Sequence, residues 1–206
     1  MRAVGGPIWR VGDRAFDVSE RTLVMGILNV TPDSFSDGGR FEDAEAAVEH
    51  GSRLIEDGAD IVDVGGESTR PGSDPVPPDE EIERVRPVIR RLAELHPAVP
   101  ISIDTRKAEV AAEALDARAT IVNDVSGARD PEMFETVRQR DAAMVLMHMR
   151  GDPKTMQETP TYEDVVGEVK EYLRERVEAA GFAGIDPERV VIDPGIGFGK
   201  DLEHNL

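Results

Sequence analysis

Short runs of apolar, β-branched residues recur along this chain, separated by longer stretches whose apolar positions repeat at helical spacing. That alternation is the pattern of βα units around a parallel sheet. The runs stand at Leu23 to Val30, Ile61 to Gly65, Pro100 to Asp104, Thr120 to Asp124, Ala143 to Met147 and Val190 to Asp193. Within them, Met144-Val145-Leu146-Met147 shows no polar alternation, as expected of a strand covered on both faces.

Between the runs, Ala44, Ala47, Val48, Leu54 and Ile55 fall on one helical face, and Gly58 stands where that helix would stop. Ile82, Val85, Ile89 and Leu92 make a second stripe, which Pro87 is expected to kink. Ala108, Ala111 and Leu115 make a short third. Asp130-Pro131 reads as the N-cap and first turn of a fourth helix running through Met133, Phe134 and Val137. Val165, Val166, Val169, Tyr172, Leu173 and Val177 form a fifth, ended by Gly181. Ahead of the repeat, Ile8 to Val11 and Ala15 to Val18 flank Gly12-Asp13 as a small hairpin.

Units in unbroken series favour an α/β fold of the (β/α)8 TIM-barrel type over a doubly wound open sheet, with residues 1–206 as one domain. A whole barrel takes about 250 residues. Only about six units can be placed, so strands seven and eight are expected to be missing and two strand edges to lie open.

Composition narrows the function. The net charge of −18, from 42 acidic and 24 basic residues, opposes binding to nucleic acid. Neither a long apolar run nor a signal-peptide pattern is present, so the expectation is a cytoplasmic protein with no membrane contact. With no cysteine and with His50, His96, His148 and His204 scattered, any metal would be held by oxygen. Lysine occurs only at 107, 154, 170 and 200, and this acidic, lysine-poor balance suggests a protein kept soluble in high salt.

The chemistry gathers at strand ends, where barrel enzymes keep their active sites. Asn29, Asp63 with Glu67, Asp104, Asn123 with Asp124, His148 and Asp193 end successive strands. Of these, Asp124 is expected to order its own loop. Asp104, Asn123 and Asp193 suit a planar heterocycle of pterin or purine type, because a carboxylate accepts two parallel N–H bonds. The loop Asn29 to Gly39 offers oxygens for a hard cation such as Mg²⁺, and Glu67-Ser68-Thr69-Arg70-Pro71-Gly72 adds hydroxyls and a guanidinium that suit a diphosphate. Asp193 to Lys200 is glycine-rich but lacks the spacing and trailing hydroxyl of a nucleotide-binding loop.

Gly26-Ile27-Leu28-Asn29-Val30-Thr31-Pro32-Asp33-Ser34-Phe35-Ser36-Asp37-Gly38-Gly39 resembles the first signature of dihydropteroate synthases, and Asp63-Val64-Gly65-Gly66-Glu67-Ser68-Thr69-Arg70-Pro71-Gly72 the second. The likeness continues in order through Ser102-Ile103-Asp104-Thr105, Ile121-Val122-Asn123-Asp124, Met147-His148-Met149-Arg150-Gly151 and the Asp193 to Lys200 loop. The resemblance implies a barrel enzyme that condenses 6-hydroxymethyl-7,8-dihydropterin diphosphate with 4-aminobenzoate to 7,8-dihydropteroate and diphosphate, in folate biosynthesis. It implies Asn29 and Asp37 as ligands of Mg²⁺, and Thr69 and Arg70 at the diphosphate. Asp104, Asn123, Met147 and Asp193 would sit at the pterin, Phe198 at the aminobenzoate, and Asp104 and Arg70 would be the catalytic pair.

The family's later Ser-Arg-Lys and Arg-x-His motifs do not occur in these residues, so the chain alone is expected to be inactive. Full-length members pair as homodimers through late helices, which makes dimerisation of this chain an open question. Two alternatives stand beside the enzyme reading: an inactive or split pterin-binding fragment, and a methyltetrahydrofolate-dependent methyltransferase on a similar barrel.

Overall fold

The computed structural model describes residues 7–19, 21–31, 40–68, 73–151, 156 and 160–206. Strands β1 (Ile8–Val11) and β2 (Arg14–Asp17) form an antiparallel hairpin. Then follow β3 (Met25–Asn29), α1 (Arg40–Glu56), β4 (Ile61–Gly65), α2 (Pro78–Leu95), β5 (Ile101–Asp104) and α3 (Ala108–Asp116). The chain continues through β6 (Ile121–Asp124), α4 (Met133–Gln139), β7 (Ala143–Met147), α5 (Val165–Phe182), β8 (Val190–Asp193) and α6 (Leu202–Asn205). Strands β3 to β8 make one parallel six-stranded sheet in sequence order, as the repeat predicts. Among the described residues no helix is long and apolar enough to cross a membrane.

Alternation along each strand divides the core in two. Leu28, Val62, Val64, Ile101, Ile103, Val122, Met144 and Leu146 point outward and pack with Val85, Ile89 and Leu92 of α2, Val110 of α3 and Met133 and Val137 of α4. The inward residues near the strand starts are also apolar. Ile61, Ile121, Ala143 and Val145 form a second cluster, and Trp9 and Val11 of the hairpin close it from below. Trp9 donates its indole N–H to the Arg189 carbonyl at 3.3 Å, so the hairpin is fastened to the turn before β8. Removing the Trp9 side chain would cost about 3–5 kcal/mol, the range for a large buried aromatic.

Register then sets the inner face at the other end. Asn29 pairs with Gly65, Gly65 with Asp104 and Asp104 with Asn123, so three polar side chains and one glycine, from four strands, form one lateral row. Beneath it lies the row Ile27, Asp63, Ser102 and Ile121. On the far side Met147 pairs with Asp193. The inner face thus changes from apolar to polar toward the C-terminal strand ends.

Among the described residues the sheet does not close on itself. β3 and β8 are its outer strands, with Ile27 66% and Ile192 52% exposed, whereas every residue of β4 and β7 is buried.

α2 runs as one helix across Pro87, which lies on the exposed face where water can serve the carbonyl that proline leaves unpaired. Two local expectations need correcting. α4 begins at Met133, later than an Asp130 N-cap would place it. The Asp130 carboxylate is shared between two elements, accepting Glu132 N–H at 3.0 Å and Ala108 N–H, the first of α3, at 2.9 Å. α5 continues one residue past Gly181, to Phe182. Gly58 does end α1: at φ +107° it lets its own N–H reach Ile55 O at 3.0 Å and Ala59 N–H reach Leu54 O at 2.9 Å.

Candidate active site

Two inward carboxylates lie at the heart of the polar face. Asp63 is 5% exposed, and its Oδ2 accepts the Asn123 Nδ2–H at 3.0 Å across β5. Its Oδ1 is buried with no N–H partner and only the Ser102 hydroxyl close by, and Asp104 Oδ1 is buried without a partner, although the Asp104 residue as a whole still shows some surface to the mouth. Burial pushes both carboxyls upward. For Asp63 the Ser102 hydroxyl and Asn123 amide pull the other way, while for Asp104 the repulsion of Asp63, Glu81, Asp124 and Glu67 adds to the rise. Enclosed acceptors of this kind call for N–H donors from a ligand. Asn123 commits its amide nitrogen to Asp63, which leaves its carbonyl oxygen as the acceptor for that ligand.

Asp124 follows Asn123 but faces the other side of the sheet, in register with Leu146. Its carboxylate accepts Ser126 N–H at 2.7 Å, the Ser126 hydroxyl at 2.6 Å and Ala128 N–H at 3.2 Å. This is the loop-ordering role expected of it.

A buried charge cluster supports the loop after β4. Glu67 Oε2 accepts Lys107 Nζ at 2.7 Å and Val76 N–H at 2.8 Å, while Oε1 accepts Arg106 Nη2 at 2.5 Å. Burial raises the Glu67 carboxyl, but Lys107, the Val76 N–H and Arg106 together bring it below its ordinary value. Lys107 also holds Glu81, a fully buried acid on α2, at 2.5 Å. Sequence reasoning missed Glu81, Lys107 and Arg106, because charged residues in helical or loop positions ordinarily face solvent.

On the β7–β8 side the wall is apolar. Met147, Val125, Met149 and Met156 form one buried cluster, with Phe198 packed against it. Asp193 Oδ1 accepts Gly195 N–H at 2.7 Å, so the carboxylate also turns its own loop. His148 and Lys200 are buried together there, with Lys200 Nζ 3.0 Å from His148 Nδ1. Burial lowers Lys200 to about 8 against the attraction of Asp193, and burial together with the Lys200 charge lowers His148 to about 4. An open groove of about 520 Å³ lined by Arg150, Thr161, Tyr162 and Glu168 contains none of the strand-end residues and is not this site.

The expected metal ligands are described only in part. Asn29 Oδ1 and Asp104 Oδ2 flank Gly65, where a Cβ would lie 3.8 and 3.6 Å from them, so the glycine leaves a cradle between two hard oxygens. Among the described residues no group of three carboxylate, imidazole or thiolate ligands could hold a metal ion. Of the two oxygens, that of Asn29 fits Mg²⁺, which keeps several waters and takes few protein ligands beside substrate phosphate. Asp37, Thr69 and Arg70 lie outside the described residues. Asn29, Asp104, Asn123, Met147, Asp193 and Phe198 are all placed at the strand ends or in the loop after β8.

Comparison with known proteins identifies the family. A profile of the family described as pterin binding enzymes matches residues 25–206. A dihydropteroate synthase of Synechocystis sp. is 47% identical over 95% of this chain and 68% of its own length. The structure of Xanthomonas albilineans dihydropteroate synthase with 4-aminobenzoic acid superposes with a TM-score of 0.88 at 50% identity, covering 97% of this chain and 70% of that one. Burkholderia cenocepacia dihydropteroate synthase complexed with 7,8-dihydropteroate gives 0.83 at 43% identity, covering 95% and 66%. The chain therefore spans about two thirds of the length of these relatives.

Proposed function

Given that the chain belongs to the dihydropteroate synthase family of pterin-binding transferases, we propose that its strand-end site binds 6-hydroxymethyl-7,8-dihydropterin diphosphate and directs 4-aminobenzoate to the pterin methylene carbon. The observation that carries this reading is the pair of enclosed oxygens without N–H partners, Asp63 Oδ1 and Asp104 Oδ1, beside an Asn123 whose carbonyl is the acceptor left free for a ligand. A pterin edge carries the N–H groups that such a site lacks.

Asp104, Asn123 and Asp193 hold the ring. As the carbon–oxygen bond to diphosphate breaks, positive charge spreads from the methylene carbon into the dihydropterin, and the carboxylates around the ring stabilise it in a poorly hydrated setting. The aminobenzoate nitrogen then forms the new carbon–nitrogen bond and loses a proton, giving 7,8-dihydropteroate and diphosphate. Met147 packs beside the pterin, and Phe198, seated against the same apolar cluster, lines the side along which the aromatic amine lies. Asn29, with Asp37, would hold Mg²⁺ at the diphosphate; bound there, the ion neutralises charge on the leaving group. Thr69 and Arg70 complete the diphosphate side, and the protein works in the cytoplasm.

Among the described residues β3 and β8 do not pair with each other, so the site is open between them. A polypeptide supplying two further βα units is expected to raise turnover. The test is product formation from pterin diphosphate, 4-aminobenzoate and Mg²⁺ in high salt, with and without that segment, alongside direct titration with 6-hydroxymethylpterin. Pterin binding with segment-dependent turnover is expected. A folded chain that binds no pterin, or that transfers methyl groups from methyltetrahydrofolate without Mg²⁺, would overturn the reading.

A further inference from the structure

A lysine ammonium carries three N–H donors. Those of Lys200 meet three internal acceptors: His148 Nδ1 at 3.0 Å, Gly195 O at 2.9 Å and Phe198 O at 3.2 Å. The residue is 4% exposed, so water has almost no access to replace these bonds. A basic residue at the end of a glycine-rich loop ordinarily suggests an anion ligand, but this one has no donor left to offer.

The acceptors are not arbitrary. Gly195 O also accepts Phe198 N–H at 3.0 Å, and Gly195 N–H is the donor to Asp193 Oδ1. One ammonium therefore ties together the turn that carries Asp193 and the segment that carries Phe198. The loop can approach this closely because Gly195 and Gly199 stand at φ +66° and +62°, where a Cβ would come within 2.0 Å of His148 O and 2.6 Å of Arg150 O. His148 is itself held, with the Tyr172 ring edge-on at 5.1 Å and Tyr172 Oη donating to Ser126 O at 2.6 Å. Tyr162 Oη closes the far end by donating to Gly199 O at 2.8 Å.

We propose that Lys200 is a positioning residue: its ammonium folds the Asp193–Lys200 loop from within, sets Asp193 against the pterin and Phe198 against the aminobenzoate, and takes no part in binding phosphate. His148 acts with it as the Nδ1 acceptor, which fixes the imidazole as the Nε2–H tautomer. The assignment of ligands to Asp193 and Phe198 rests on the function proposed above, whereas the folding of the loop by Lys200 does not.

The test compares the full chain with Lys200→Met, which keeps the length but no donor, and Lys200→Gln, which keeps two. Affinity for 6-hydroxymethylpterin is read by fluorescence, affinity for inorganic diphosphate by calorimetry, and hydrogen exchange at the Gly195 and Phe198 amides by NMR. Lys200→Met is expected to weaken pterin binding about 10-fold or more, a change of about 1.4 kcal/mol. Lys200→Gln should recover part of it, diphosphate affinity should not move, and both amides should exchange faster.

Pterin affinity within twofold of the parent in Lys200→Met would overturn the proposal, as would a parallel loss of diphosphate affinity. If the parent binds no pterin, the proposed function fails, and the exchange comparison still decides on Lys200: unchanged protection of both amides refutes it. Should Lys200→Met not fold, Lys200→Gln and His148→Asn, which keeps an acceptor, give the same comparison.

Discussion

Asn123 donates its amide to Asp63 at 3.0 Å across the intervening strand β5, so a residue on β4 decides which end of a β6 amide faces the ligand. Asp63 is not freely soluble charge. Burial raises its pKa, so the stability it permits is full at low pH and is lost as pH rises through the folded-state value.

Asp63→Asn follows from this. At neutral pH it removes a disfavoured anion, and stability by thermal melting is expected to stay level or rise by on the order of 1 kcal/mol. Pterin affinity should nevertheless fall, because an asparagine can present its own amide and let the Asn123 side chain turn over. The Asp63 charge is also the second contribution to the high pKa of Asp104. The acid side of the pterin-binding pH profile, where Asp104 protonates and can no longer accept two N–H bonds, should therefore shift to lower pH in this variant. A lower melting temperature with unchanged ligand affinity would contradict it.

Gly65→Ala separates site from fold. The added methyl would meet Asp104 and Asn29 at 3.6 and 3.8 Å, ordinary contact distances, so stability should change by less than about 0.5 kcal/mol. The same methyl occupies the cradle between the two oxygens. Mg²⁺-dependent binding of pterin diphosphate, read by calorimetry, should weaken about 10-fold, a loss of about 1.4 kcal/mol.

Asp124→Ala is expected to do the reverse. It leaves the Ser126 and Ala128 N–H groups without their buried acceptor, which should cost about 2–3 kcal/mol by urea denaturation. The carboxylate faces away from the ligand, so pterin affinity of the folded fraction should stay near that of the parent. A specific loss of affinity would place Asp124 in the site.

The open edges predict self-association. Ile27 and Ile192 expose apolar surface on β3 and β8, whose outer edges have no strand partner among the described residues. Sedimentation velocity at increasing concentration should show association that the pair Ile27→Lys and Ile192→Lys reduces. Equal behaviour of parent and variant would indicate that the edges are protected.

A formal charge of −18 predicts salt-dependent stability. The melting temperature should rise by several degrees between about 0.1 and 1 M KCl, as the screening length falls from about 10 to about 3 Å. A flat or falling curve would mean that surface pairs such as Arg138–Glu135 and Arg174–Glu171 outweigh the net repulsion.

The sequence by itself determined the number and order of the βα units, because a strand covered on both faces and an amphipathic helix each demand a distinct apolar spacing. It also determined that Asn29, Asp104, Asn123 and Asp193 stand at strand ends. Only the tertiary structure decided what stands beside what. The row Asn29, Gly65, Asp104 and Asn123 exists because four strands pair in one particular register, and the Asp63–Asn123 bond exists because two strands flank β5. Glu81 and Lys200 became buried, and Lys107 half-buried, for the same reason. Each is a charge with a partner from a distant segment, Lys107 for Glu81 and His148 for Lys200, and local spacing carries no record of partners brought together by folding.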